Sequence, residues 1–400
     1  VHYAWIILSL CFATLFVNYT VRLGYGVVLP EMIRTLGLSR TEAGSIFNAY
    51  LLTYIALAPV AGYLTDRLGA RRVITVCILL VGAGAGLLAT VNALWTACLF
   101  FGLAGLGSTG IWVPIITLIQ RWFAARRRGL ALGVLSTGYG LGFACLGLVF
   151  PFLVERTSWR AAWVALGAMA VALVLPNALL LSSDPADRGA APWGEDGAAA
   201  APAAPGGRVT LKWILRTPNF WIIGASYFSI AYGLYGVTTF MVDYARDGLG
   251  LPLEQASLLA TVHGIFQVVG VLTVVPASDR FGRQATVVAS NTAIALIIAA
   301  LLAAGGFAPV VALIALLAVF YGATFPIYAA CAGDYFPRSA MGTVAGAWTP
   351  FYGLGAIATH WVTGWLRDAG GAYTAGFAIC AASAAAAALL MVFVRRPRER

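Results

Sequence analysis

Charge is what this sequence has least of. Only 10% of its 400 residues are Asp, Glu, Lys or Arg, and lysine occurs once, at Lys212, where soluble globular domains carry about 25% charged residues. So few charges cannot solvate a water-facing fold of this length, which excludes the soluble and disordered classes and disfavours an enzyme with an aqueous domain. Lys212 has no P-loop glycines before it, so an ATP-driven pump is not encoded. Six cysteines (Cys11, Cys77, Cys98, Cys145, Cys331, Cys380) stand in apolar stretches without a Cys-x-x-Cys pair, so they are expected to be packing residues and not metal ligands. Nucleophile elbows and Gly-rich cofactor loops are also missing, and no cofactor, metal or enzymatic activity is expected. The net charge of +10 is spread in short clusters between apolar runs, unlike the continuous basic face of a nucleic-acid binder.

What is present is apolar. Hydrophobic residues make up 61% of the chain, and a membrane helix takes roughly 20 of them, so the apolar material suffices for about twelve spans. Punctuation by charge, Pro and Gly puts these near 4–33, 42–65, 73–92, 95–119, 129–154 and 158–182, then 213–242, 253–277, 285–306, 308–332, 340–365 and 372–394. The expected fold is an all-α membrane protein: a six-helix bundle over 1–182, a solvated, Ala/Pro/Gly-rich linker over 183–212 and a second bundle over 213–400.

The basic residues orient these spans. With both termini in the cytoplasm, eighteen of the 25 fall on the cytoplasmic side and six on the other. Arg22 remains, inside the first span. The two bundles are also copies of each other. Asp66-Arg67-Leu68-Gly69 and Asp279-Arg280-Phe281-Gly282 stand 213 residues apart, and the same offset links Phe123 to Phe336 and Tyr139-Gly140-Leu141-Gly142 to Tyr352-Gly353-Leu354-Gly355. Parallel repeats of this kind put a substrate site near the bilayer midplane where the halves meet, and allow alternating access.

The segment from Gly62 to Arg72, with Asp66, Arg67, Gly69, Arg71 and Arg72, resembles the G-x-L-x-D-R-x-G-x-R-R signature of the major facilitator superfamily, and Asp279 to Gly282 is similar to its second copy. That resemblance implies the major facilitator fold, a secondary transporter, and spans one, four, seven and ten around the cavity. Tyr3-Ala4-Trp5, together with Arg121-Trp122-Phe123 and the run Arg126 to Gly133, resembles the bacterial monocarboxylate and oxalate/formate branch. Asn18-Tyr19-Thr20-Val21-Arg22 is similar to a stretch of anion:cation symporters whose Arg binds the substrate carboxylate. Two departures stand out. The acid and base that monocarboxylate transporters carry in span eight correspond to Gln267 and Val271, and the symporter acid before the Arg corresponds to Val21.

A cation in hydrocarbon costs at least about 2.5 kcal/mol, so an embedded Arg marks function by default. Arg22 shares a helix face with Asn18 and Tyr25, and a planar guanidinium fork suits a carboxylate. The alternative is a structural Arg bonded to backbone carbonyls or to Glu31. His263, four residues before Gln267, and His360 are the titratable rings within spans; each is a proton-coupling candidate or a neutral bridge between helices. Asn48, Tyr139, Tyr232, Tyr235, Tyr321, Tyr328, Trp348 and Tyr352 complete the candidate substrate-binding set. Asp66, Arg67, Gly69, Asp279, Arg280 and Gly282 are expected to gate the cytoplasmic side, the carboxylates capping a helix or pairing with Arg.

The expected function is transport of a small organic mono- or dicarboxylate by a monomer in a bacterial-type inner membrane, with H⁺ as coupling ion or by anion exchange. A drug or amphiphile exporter and a non-transporting membrane sensor are the alternatives. Exporters of cations resemble one another in an embedded acid and a Gly-Pro pair in span five, whereas the embedded charge here is positive and span five has Gly138, Gly140 and Gly142 with Pro151 far behind. The sensor would need an output domain.

Overall fold

The computed structural model describes residues 2–194, 211–337 and 341–395, without the side chains of Asp66, Ala125, Arg126, Leu211 and Gly342. The chain divides into two compact units, 1–38 with 42–200, and 39–41 with 201–400.

Unit 1 contains α1 (Tyr3–Leu36), α2 (Arg40–Leu68), α3 (Ala70–Leu88), α4 (Leu94–Thr109), α5 (Trp112–Trp122), α6 (Ala125–Arg156), α7 (Trp159–Ala172) and α8 (Val174–Leu180). Two pairs are interrupted rods: α4 gives way to α5 at Gly110 and α7 to α8 at Leu173. Unit 2 contains the short α9 (Leu211–Arg216), then α10 (Pro218–Asp243), α11 (Leu253–Phe281), α12 (Arg283–Ala303), α13 (Phe307–Tyr335), α14 (Met341–Gly370) and α15 (Thr374–Val392). Among the described residues eleven helices are long and apolar enough to cross a membrane.

The 213-residue offset holds for the helices themselves. Moved by that number, α2 coincides with α11, and the span of α4 and α5 coincides with α13. Packing repeats too: α1 lies against α6 as α10 lies against α14, and α3 against α7 as α12 against α15. Gly69 and Gly282 take φ of 82° and 87° at the two matching turns, a region that glycine enters without steric cost. Large apolar side chains such as Trp95, Leu175, Leu296 and Trp365 are exposed, as they are on helices whose solvent is lipid.

The stretch expected as solvated linker begins differently. Residues 185–188 form a short 3₁₀ turn capped by Asp184, and Trp193 docks on unit 1. Its N–H donates to the Trp122 carbonyl at 2.8 Å, and its ring packs edge-on against Trp5 and Phe123. The apolar area of an indole explains the anchoring, which composition alone hides. Linker residues 195–210 lie outside the described residues.

Candidate functional site

In unit 1 the site grows from the middle of α1. Arg22 is only 7% exposed, and among the described residues it is the one buried Arg or Lys. Its guanidinium carbon lies 5.8 Å from the ring centre of Tyr19, 5.9 Å from that of Tyr50 and 5.2 Å from that of Tyr54. Tyr50 and Tyr54 are one turn apart on α2, so both rings reach the same point of α1. An aromatic face stabilises a desolvated cation by up to ~2 kcal/mol, which offsets part of the cost of burial without cancelling the charge.

A hydrogen-bond chain fixes one wall. Tyr50 donates to Ser108 Oγ at 2.6 Å, and Ser108 donates to Asn18 Oδ1 at 2.6 Å. This needs α4 close to α2, and Gly105 permits it, since a Cβ there would fall 2.3 Å from the Tyr50 carbonyl. The other wall is aromatic: Tyr139 of α6 lies 4.2 Å from Tyr19 and 5.3 Å from Trp112, centre to centre. Asn18, Arg22 and Tyr139 thus come together. Asn48 is buried on α2. Tyr25 belongs to the packing of unit 1, with its hydroxyl on the Ala43 carbonyl and its ring against Phe101. Glu31 is buried and pairs with Arg34 at 2.6 Å.

In unit 2 the candidates form two groups. Tyr235 lies against Tyr352 and His360, and His360 Nε2 is 3.0 Å from the Thr239 hydroxyl. His263 packs edge-on against Tyr321 at 4.9 Å. Gln267, one turn along α11, is buried with an Oε1 that accepts no hydrogen bond from the described residues. Tyr232 is buried on α10. Two further candidates spend their polar groups within the unit: Tyr328 bonds Ser226 at 2.5 Å and Asn291 at 2.9 Å, and the Trp348 indole donates to the Phe220 carbonyl.

At the paired turns, the side chain of Asp66 lies outside the described residues. Arg67 stands over the Tyr63 ring at 5.2 Å. In unit 2, Asp279 pairs with Arg283, which also approaches Asp334 at 3.7 Å. The residue that precedes α12 is Gly282, with no side chain to cap it. The carboxylate of Asp279 therefore acts there by pairing.

Sequence reasoning missed a second ionic cluster. Residues 39–41 group with unit 2, where Arg40 Nε pairs with Asp243 at 3.2 Å and its Nη2 pairs with Asp247. Asp368 accepts from the backbone N–H groups of Arg40 and Thr41, residues of the same unit, at 2.9 Å. Tyr373 donates to the Asp243 carboxylate. The π-helical turn Tyr244–Gly248 that follows α10 carries Asp247 to Arg40.

Two repeated all-helical bundles with long apolar helices, one of which holds a caged cation, define a polytopic membrane protein built for transport. The sequence profile of the Major Facilitator Superfamily matches residues 11–256 and 225–400, and the chain belongs to that family. It is a transporter and not an enzyme. Among its relatives it is 24% identical to the hexuronate transporter of Bacillus subtilis (strain 168) over 95% of this chain and 92% of that protein. It is 24% identical to monocarboxylate transporter 12 of Rattus norvegicus over 98% and 85%. The crystal structure of the nucleoside transporter NupG shares its fold with a TM-score of 0.77 at 13% identity, covering 97% of this chain and 99% of that one.

Proposed function

We propose that the protein is a secondary active transporter of a small organic anion, a mono- or dicarboxylate, with Arg22 as the group that holds the carboxylate. It works as a monomer by alternating access, with twelve spans, both termini in the cytoplasm, in a bacterial inner membrane. The carrying observation is the burial of Arg22 among Tyr19, Tyr50 and Tyr54. The aromatic faces hold the guanidinium in the interior, and the planar fork of an Arg matches the two oxygens of a carboxylate. Relatives named for hexuronate and monocarboxylate transport support the same substrate class. An exporter of cationic amphiphiles would want a buried acid at that place. The buried acids Glu31 and Asp243 pair with Arg34 and Arg40.

Coupling is to H⁺ or by exchange of anions, with His263 and His360 as the proton carriers and the paired turns at Asp66, Arg67 and Gly69, and at Asp279, Arg280 and Gly282, as gates. The anchor is tested in proteoliposomes. Arg22→Ala is expected to abolish uptake of labelled carboxylates while eluting and unfolding like the wild type; retained uptake at unchanged affinity contradicts the assignment. For coupling, His263→Gln with His360→Gln is expected to remove the dependence of uptake on a pH gradient. A dependence that survives both changes rules these rings out.

A further inference from the structure

Where α2 turns into α3, unit 1 has a cavity of about 720 Å³ lined by Arg67, Arg71, Arg72 and Arg188 with Ser182 and Ser183. Its one acid among the described lining residues, Asp187, is engaged locally, accepting from the Asp184 backbone N–H and the Ser182 hydroxyl. None of the four arginines pairs with a described carboxylate. Arg71 and Arg188 instead donate to the Ala178 and Leu179 carbonyls, neutral acceptors that position the guanidinium groups without adding a described counter-charge. The N-terminus of α3 opens on the same place. Its cap, Gly69, supplies no side chain, and the Arg71 N–H meets Ser183 Oγ at 3.4 Å. Free N–H groups and the helix dipole add to the positive field there.

The repeat shows that this charge is not a packing requirement. At the matching turn of unit 2, Arg71 and Arg72 correspond to Gln284 and Ala285. Gln284 donates to the Met391 carbonyl, the counterpart of the Ala178 carbonyl that Arg71 uses. A neutral amide thus performs the structural task in one copy, while the other copy adds two cations. The unit 2 cavity of about 860 Å³ at this turn has its basic residue, Arg283, paired with Asp279 and Asp334.

The surroundings indicate the source of the anion. Leu64, Leu68, Val76, Leu175 and Leu179 are exposed apolar residues on the helices leading to the cavity. An acyl chain lying along them would bring its headgroup to the arginines, and basic pockets at the rim of membrane helices take anionic lipid headgroups. We propose that this cavity binds the phosphate of an anionic phospholipid, with Arg71, Arg72 and Arg188 as the principal donors.

The test uses the full-length protein in detergent and reads bound lipid by native mass spectrometry and the unfolding midpoint. The probes are phosphatidylglycerol, cardiolipin, phosphatidylcholine and inorganic phosphate. The variant Arg71→Gln with Arg72→Ala writes the unit 2 residues into unit 1. For the wild type, the two anionic lipids are expected to bind and raise the midpoint, while phosphatidylcholine and inorganic phosphate do neither. The variant should lose at least about tenfold in anionic-lipid affinity, as expected for two cations near a membrane surface. Should it fail to fold, Arg188→Gln is measured in its place and should lose about fivefold. Equal binding of phosphatidylcholine, undiminished anionic-lipid binding by whichever variant folds, or a full effect from inorganic phosphate alone overturns the proposal.

Discussion

The two units repeat the same helices and differ in what those helices carry. Arg22 of α1 corresponds to Tyr235 of α10, Tyr50 and Tyr54 of α2 to His263 and Gln267 of α11, and Ser108 of α4 to Tyr321 of α13. Unit 1 builds a caged cation at these positions, whereas unit 2 builds two ring contacts there, Tyr235 with His360 and His263 with Tyr321. Burial is similar in both, so the scaffold does not demand a charge at this depth. The difference teaches that the repeat keeps its helix packing while the buried polar side chains diverge, with a cation in unit 1 and rings and an amide at the matching places of unit 2.

That comparison can be broken at several strengths. The largest effect is expected at its centre: Arg22→Ala should lower carboxylate uptake by about two orders of magnitude, the worth of a charge-assisted pair. Tyr235→Phe, at the matching position, should cost less than about tenfold. Equal losses in flux assays would mean the halves contribute alike.

A second contrast concerns the ion pairs. Arg40 is 18% exposed and pairs with an Asp243 that is 1% exposed, whereas Arg34 is 68% exposed beside Glu31. Removing Arg40 strands a buried carboxylate, so Arg40→Ala should cost on the order of 3 kcal/mol. Arg34→Ala should cost less, since Arg34 holds one carboxylate from a mostly solvent-exposed position whereas Arg40 holds two, Asp243 and Asp247. Unfolding of both variants in detergent reads the difference, and similar costs would show that the Asp243 cluster is not a stabilising one.

A smaller effect belongs to Ser108, which links Tyr50 to Asn18. Ser108→Ala leaves both partners short of a bond and should cost about 1–2 kcal/mol. Thermal unfolding in detergent reads the loss, and a Ser108→Ala variant as stable as the wild type would remove the bridge from the account.

Much of this was legible in the chain. The offset between the Asp-Arg-x-Gly turns places the helices of one half on those of the other, because repeated turn chemistry survives when side chains diverge. Arg22 stood out because a buried cation is costly. The cage around it was half legible: the offset makes Tyr50 the twin of His263, a polar ring in both halves, whereas Tyr54, the twin of Gln267, has no such match in residue type. Trp193 and the Arg40 cluster were not legible. Asp243, Asp368 and Tyr373 are more than 200 residues from Arg40 in sequence, and helical periodicity reports only neighbours three or four residues apart. Tyr25, Tyr328 and Trp348 carry the polar handle of a binding residue, yet each hydroxyl or indole N–H has a partner within its own unit, which residue type alone does not reveal.

The most direct test of the central claim is counterflow of a panel of labelled carboxylates into proteoliposomes, run at two pH values with the wild type and Arg22→Ala side by side. The account predicts exchange by the wild type for at least one carboxylate and none by the variant at either pH, with both proteins reconstituted to the same level. Exchange by Arg22→Ala at the wild-type rate, or wild-type exchange of cationic compounds with no carboxylate accepted, would contradict it.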